Sequence, residues 1–389
     1  FLALRSCFVC GSNTKYWEGC MKLTKSAAIL AASTVALFGA TITANAGGHL
    51  TAQEAALVSA AAKEGKVTVI NPLFADRTAR RLGEAFKKHY GLPDSFKFNS
   101  LRKGTGATVA QVRQEIKAGK FTVDVITVSA PGFFAAGTKR GAFAKLDSAN
   151  WKNMEDTVKA AGQYSEYPYV VTPLAYTFAP VWNTSCPGMK DVNITSYEDL
   201  FDPAMKGKSI ASDITKSFTY TNTVIALQDA GAVDFNKFWP RLKAMDTIIE
   251  FRTEPKMQMV ISCQRPLDPW NISGRVYQNV LKDPGLASKI KIGSYKEGQV
   301  MLGNQAAVLS GANNPNAGKL FVEFMMSKAG ADIIVEGEAV YSFITGYQVP
   351  AAAPYMADLS KINLIGMEDW VGAQKKFKKT RALWVSTFK

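Results

Sequence analysis

Histidine is nearly missing from this chain: two of its 389 residues, His49 and His89, and they flank no carboxylate pair. Most acid–base schemes would therefore fall to carboxylates. There is no G-x-S-x-G, no H-E-x-x-H and no phosphate-binding loop motif. Nucleophile-elbow hydrolysis, zincin chemistry and P-loop nucleotide binding thus have no signature here. Adjacent carboxylates such as Glu198 and Asp199 fit a helix cap. No enzyme activity and no cofactor are expected. Low-complexity tracts and internal repeats are absent too, which excludes disordered and solenoid architectures.

Cysteine is scarce, with five in the chain. Three of them, Cys7, Cys10 and Cys20, precede Met21. Cys7-x-x-Cys10 lacks the strand–helix context and histidine partner of a redox or metal pair. Residues 1–20 read as an upstream translated extension. Residues 21–46 read as a signal peptide. Lys22 and Lys25 form the charged start, 27–42 the apolar stretch, and Ala44-Asn45-Ala46 the cleavage signal. The apolar stretch is short for a membrane span, which needs about 20 residues. Cys20 lies before it rather than after, so no lipid anchor is expected. Removal of 46 residues takes away four basic and one acidic residue, lowering the formal charge from +14 to +11. Such a charge suits nucleic acid, an anionic membrane face or an anionic ligand, or serves solubility alone. Export and the scattering of the basic residues argue against nucleic acid. Cys186 and Cys263 remain, and an oxidising compartment allows them to pair if their Cα atoms come within about 7 Å.

Helix and strand signals alternate in short units. Thr51 to Glu54 is a capping box opening a helix, and 66–72 reads as a buried strand. Asp76 caps a second helix, ended by Gly91, and 95–101 alternates like a strand. Gly104-Thr105-Gly106 leads into a helix ended by Gly119; 121–129 is a buried strand and Pro131 opens a short helix. Residues 173–183 are extended, Ser196 to Asp199 caps a short helix, 208–213 is a strand and 221–230 a helix. Residues 315–337 form a helix pair. This order means α/β architecture with a largely parallel sheet. No Pro/Gly/Ser-rich linker separates halves, so two lobes would be joined by crossing strands.

Three segments carry a family resemblance. They are TGATVAQVRQEIKAGKFTVDVI (105–126), WNTSCPGMKDVNITSYEDLFDPAMKGKSIASD (182–213) and NPNAGKLFVEFMMSKAGADIIVEG (314–337). In order and spacing they resemble the bacterial extracellular solute-binding proteins of the ferric-iron-binding type, periplasmic components of ABC importers. The resemblance implies a two-lobed periplasmic binding fold (type II) with two crossover strands and ligand between the lobes. Residues 47–175 plus 296–389 would form lobe I and 176–295 lobe II, with hinges near Thr172–Tyr176 and Tyr295–Val300. It also implies a monomer that captures a small solute and delivers it to an ABC permease in the inner membrane.

Ligands of open parallel sheets sit off the carboxyl ends of strands, facing helix N-termini. This rule selects Asn71, Asp76, Thr105, Gly106 and Ser129 in the first lobe. In the second it selects Asp213, Thr215, Ser217, Phe218, Trp270, Asn271 and Arg275. Thr105 and Gly106 offer a hydroxyl and close backbone approach, or form a plain capped turn. Ser129 is a ligand donor or an N-cap. Trp270 lies in a loop-like stretch with Pro266 and Pro269, as a pocket wall or as local core. Arg275 is a fork for an anion, or a surface arginine. Tyr347 would close the C-terminal edge of the cleft. One departure from the ferric pattern stands out: 263–278 carries a single tyrosine, Tyr277, where iron binders present adjacent ones. An organic or oxoanionic solute is therefore expected, with Fe(III) plus a synergistic anion, held by Tyr277, as the alternative. A periplasmic hydrolase or a chemoreceptor partner are the readings from other classes.

Overall fold

The computed structural model describes Leu50 and residues 52–350, 359–367 and 369–389. The leading segment, the signal peptide, His49 and Thr51 lie outside the described residues. The first part runs α1 (Ala52–Glu64), β1 (Lys66–Asn71), α2 (Asp76–Tyr90), β2 (Lys97–Arg102), α3 (Thr105–Ala118), β3 (Val125–Val128), α4 (Pro131–Thr138), α5 (Glu155–Ala160) and β4 (Val171–Thr177). The middle runs β5 (Ala179–Asn183), β6 (Ile210–Ala211), α6 (Phe218–Asp229), α7 (Phe235–Ala244), β7 (Ile248–Ile249), α8 (Thr253–Ile261), β8 (Leu267–Asn271), α9 (Ser273–Lys282) and β9 (Ile290–Ile292). The last part runs β10 (Gln299–Val308), α10 (Pro315–Met326), α11 (Lys328–Glu338), β11 (Tyr341–Ser342), β12 (Leu364–Ile365) and α12 (Ala373–Phe388).

The large sheet has the order β11-β4-β10-β3-β1-β2, with β12 beside β10. Its strands β3, β4 and β10 are buried along their whole length, as expected of strands covered on both faces. The sheet is mixed rather than largely parallel. β2, β1 and β3 pair in parallel, whereas β10 runs antiparallel to both β3 and β4. The cause is topological: β10 returns from the other half instead of following a crossover helix. The smaller half is built on β8-β5-β9 and the β6–β7 pair.

The chain passes from the large sheet to the small one at Phe178, between β4 and β5, and returns through 293–298 into β10. Thr172–Tyr176 themselves are held in β4 against β10, so the first crossing lies just beyond the expected hinge. Gln299 Nε2 donates to Phe178 O at 3.2 Å, tying the two crossings together. A third passage follows β12: α12 packs on α6 and α7, elements of the middle segment, although the sequence reading placed all of 296–389 in the first lobe.

Two local expectations are corrected. Residues 267–271 form buried strand β8, not a loop. Pro269 lies where the β5–β8 register shifts, between Ala179 and Val181; a bulge spares a residue without N–H from ladder bonding. Asp76 is the first residue of α2, and its cap position is Ala75, with no side-chain cap bond. Cys186 and Cys263 form a disulfide, with Cα atoms 5.4 Å apart.

Candidate functional site

Five helices begin on the rim of one cleft of about 1130 Å³ between the large and small sheets. Its walls include Ala75 and Asp76 at the start of α2, and Gly104 to Gly106 at the start of α3. Across from them stand Ser217 before α6, Thr253 at the start of α8, and Ile272 before α9. Each N-terminus aims backbone N–H groups and the positive end of its dipole at this region. The strand-end rule therefore points to this cleft. It arises because βα turns leave the carboxyl ends of β1, β2, β6 and β8 together.

Charge reinforces the dipoles. Arg77, Arg81, Arg102, Lys103, Lys216, Arg252, Arg275 and Lys282 line the cleft, against the acids Asp76, Glu254 and Glu336. Arg81 is spoken for by Glu336, at 2.6 Å. Arg275 is buried to 7% exposure. Its Nε donates to Thr253 Oγ1 at 3.0 Å and its Nη1 to Gln278 Oε1 at 2.6 Å. Burial, and then the nearby Arg102, push its pKa down to about 10. Arg102 reaches the same cleft from the end of β2, its Nε donating to Pro72 O at 3.4 Å. The two guanidinium groups thus come from opposite halves and repel each other.

The floor is aromatic. Phe178 stacks on Tyr220 with ring centroids 4.2 Å apart, and Tyr176 lies beside them. Burial pushes the Tyr220 and Tyr176 phenols well above their ordinary range. The Tyr220 hydroxyl donates to Trp270 O at 2.9 Å, so this ring is held from behind.

Behind the floor, Lys256 and Asp268 form a fully buried ion pair at 2.8 Å. Lys256 also donates to Trp270 O at 2.6 Å. Asp268 accepts from Trp270 N at 2.9 Å and from Asn271 Nδ2 at 2.8 Å. Burial lowers the Lys256 pKa and raises that of Asp268. Each charge has its partners, as a buried ion requires. The pair fixes the end of β8, from which α9 and Arg275 emerge.

Of the residues expected from sequence, Asp76, Thr105, Gly106, Ser217, Arg275 and the alternative Tyr277 line the cleft. Gly106 is not demanded by sterics: a Cβ there would sit 3.9 Å from Phe218 in ordinary contact. Phe218 packs instead toward α12, 5.7 Å from Phe377. Ser129 is buried near Tyr176. Asn71 shapes the turn after β1, its Oδ1 accepting from Phe74 N at 2.7 Å. Asp213 and Thr215 bond each other, through Thr215 N at 2.9 Å. Trp270 is local core, 1% exposed, among Tyr197, Phe235, Phe238 and Trp239. Asn271 is buried and braces the same strand end, its Nδ2 donating to Thr253 O at 3.2 Å. Tyr347 donates to Asp332 Oδ1 at 2.9 Å, away from the cleft lining.

Arg77, Arg102, Tyr176, Thr219 and Tyr220 line the cleft unannounced. The strand-end rule, applied one residue more widely, would have found Arg77 and Arg102. Nothing in the pattern marks the two tyrosines.

No helix among the described residues is long and apolar enough to cross a membrane, and no group of three or more His, Cys, Asp or Glu among them could hold a metal ion. No curated protein matches the chain in sequence. Among solved structures it resembles iron-bound HitA from Pseudomonas aeruginosa, at 18% identity and a TM-score of 0.66, over 83% of this chain and 99% of that one. It also resembles the periplasmic binding protein AfuA from Actinobacillus pleuropneumoniae, with fructose-6-phosphate bound, at 18% identity and 0.66, over 83% and 98%. A substrate-binding protein of an ABC transporter from Agrobacterium tumefaciens gives 16% and 0.68, over 83% and 95%. These likenesses establish the two-lobed periplasmic-binding-protein fold. The family model of the bacterial extracellular solute-binding proteins matches residues 121–371; the chain belongs to that family.

Proposed function

We propose that the protein captures a small organic anion or oxoanion between its lobes in the periplasm. It then hands the guest, chemically unchanged, to the permease of an ABC importer, and it works as a monomer. In this reading the large sheet and its helices form one lobe. The small sheets, together with α12, form the other. One observation carries the choice of an anion: Arg102 and Arg275 face one cleft from opposite halves, inside a lining with eight cations and three acids. An anion between them replaces repulsion by two charge-assisted attractions, so binding and lobe closure become one event.

A thermal-shift screen tests this with inorganic phosphate, sulfate, phosphate monoesters, dicarboxylates, amino acids, polyols and Fe(III). An anion at a hundredfold excess over Kd stabilises by about 2.7 kcal/mol, a readily measured shift. Arg275→Ala is expected to weaken that binding by about 1.5–3 kcal/mol. Shifts produced by polyols alone, or an unchanged affinity in the variant, would remove the anion reading.

A ferric guest is the second reading. It draws on the tyrosines that line the cleft, Tyr176, Tyr220 and Tyr277, and on the iron in HitA. Burial opposes phenolate formation at the first two. A stabilisation seen with Fe(III) alone, and lost in Tyr277→Phe, would establish it in place of the first.

A further inference from the structure

Outside the crossing strands, the two halves also meet where α9 touches the end of α11. Gly274 shows how close they come: a Cβ there would lie 2.2 Å from Glu338 O. At this contact a hydrogen-bond chain runs from one half to the other. Ala75 N, at the entry to α2, donates to Glu338 Oε1 at 2.7 Å. Gln278 Nε2 donates to Glu338 Oε2 at 2.5 Å. Arg275 Nη1 donates to Gln278 Oε1 at 2.6 Å. Of these groups only the Gln278 amide could face either way, and its neighbours fix it. The guanidinium only donates and the carboxylate only accepts, so the amide of Gln278 fits in one orientation alone.

We infer that Glu338 and Gln278 are positioning residues, which hold the Arg275 guanidinium toward the cleft and couple its orientation to the opposite lobe at α2. The inference rests on the anion reading in taking Arg275 as the anchor of the guest. Glu338 is 3% exposed, and its carboxylate takes its hydrogen bonds from Ala75 N and Gln278 rather than from Arg275. Gln278 stands between the two charges and keeps the cation available.

The logic of donors and acceptors supplies the test. Glu338→Gln adds a second amide to the chain. Whichever way either amide turns, one link then sets donor against donor. The double variant Glu338→Gln/Gln278→Glu restores every link. The backbone N–H of Ala75 then meets the amide oxygen introduced on α11. The N–H of that amide meets the carboxylate introduced on α9, and Arg275 donates to the same carboxylate. Side-chain volume is nearly unchanged in Glu338→Gln and in the double variant, so a merely space-filling role would not follow this pattern. The Nε–H signal of Arg275 in a nitrogen–proton correlation spectrum, identified by its loss in Arg275→Lys, reports the guanidinium without any ligand. Its solvent exchange is expected to quicken at least tenfold in Glu338→Gln and in Gln278→Ala, and to slow again in the double variant. Inorganic phosphate affinity is expected to fall by roughly tenfold in the single variants, the worth of one charge-assisted bond, and to stay low in the double, where the carboxylate introduced on α9 pairs directly with Arg275. An unchanged signal in the single variants, or exchange that stays fast in a folded double variant, overturns the inference. Failure of the wild type to bind phosphate counts against the anion reading only, because the exchange measurement still decides this one.

Discussion

Trp270 and Arg275 lie five residues apart, yet their surroundings give them opposite roles. Alternation along β8 turns the indole into the aromatic cluster of the second half, where Nε1 donates to the Tyr197 hydroxyl at 3.4 Å. The first turn of α9 then swings Arg275 back to the cleft. Trp270→Ala is accordingly expected to cost about 3–5 kcal/mol of stability, the cost of emptying a buried aromatic site. Trp270→Phe keeps most of the packing, and anion affinity should stay near that of the wild type. Urea unfolding with a binding titration checks both; a large loss of affinity in a stable Trp270→Phe would return the indole to the site. The sequence left both roles of Trp270 open, because Pro266 and Pro269 imitate a loop. Only the pairing register with β5 shows that Pro269 sits at a bulge. Arg275 was legible because it follows a strand end. Tyr176 and Tyr220 were not, since their place on the floor depends on how two distant segments stack.

Individual elements were more legible than their partners. Gly91 and Gly119 stop α2 and α3 in left-handed conformations, with φ of 61° and 63°, a backbone demand that glycine announces in the sequence. The capping box at Ser196 forms as its residues suggest. What periodicity does not encode is direction, so nothing in it marks β10 as antiparallel to β3 and β4. Nor does it encode which half a helix returns to, as α12 illustrates. The disulfide belongs to this scale too. It joins the end of β5 to the segment after α8 and closes 77 residues of sequence. Loop closure of that length is worth about 4.5 kcal/mol by the chain-entropy estimate. Cys186→Ser/Cys263→Ser should lower the urea midpoint accordingly, while anion affinity should hold, since neither cysteine lines the cleft. A variant with wild-type stability would mean that the unfolded chain is constrained by something else.

At the scale of the whole molecule, three passages join the halves, and they differ in kind. The crossings at Phe178 and at 293–298 are short segments between strands, tied together where Gln299 Nε2 donates to Phe178 O. The third carries α12 onto the second half, where Arg381 Nε donates to Thr221 Oγ1 at 3.1 Å and Nη2 to Ser217 O at 3.4 Å. Since Ser217 lines the cleft, α12 has to travel with that wall when the cleft changes width. At the cleft, Phe251 and Leu281 remain 38% and 40% exposed, apolar surface that approach of the lobes would cover at a gain of about 25 cal/mol per Å². Against that gain stands the repulsion between Arg102 and Arg275, which the buried Glu338 carboxylate offsets only in part and a further negative charge would remove. The balance predicts an open cleft without ligand and a closed one with it. Small-angle scattering should show a smaller radius of gyration once the anion that gives the largest thermal shift is present at saturation. Arg102→Gln/Arg275→Gln removes the repulsion and the anchor together, so its radius should no longer respond to the anion. A wild-type radius that stays constant through saturation would mean that the lobes do not move on binding, and the arginines would then act by attraction alone.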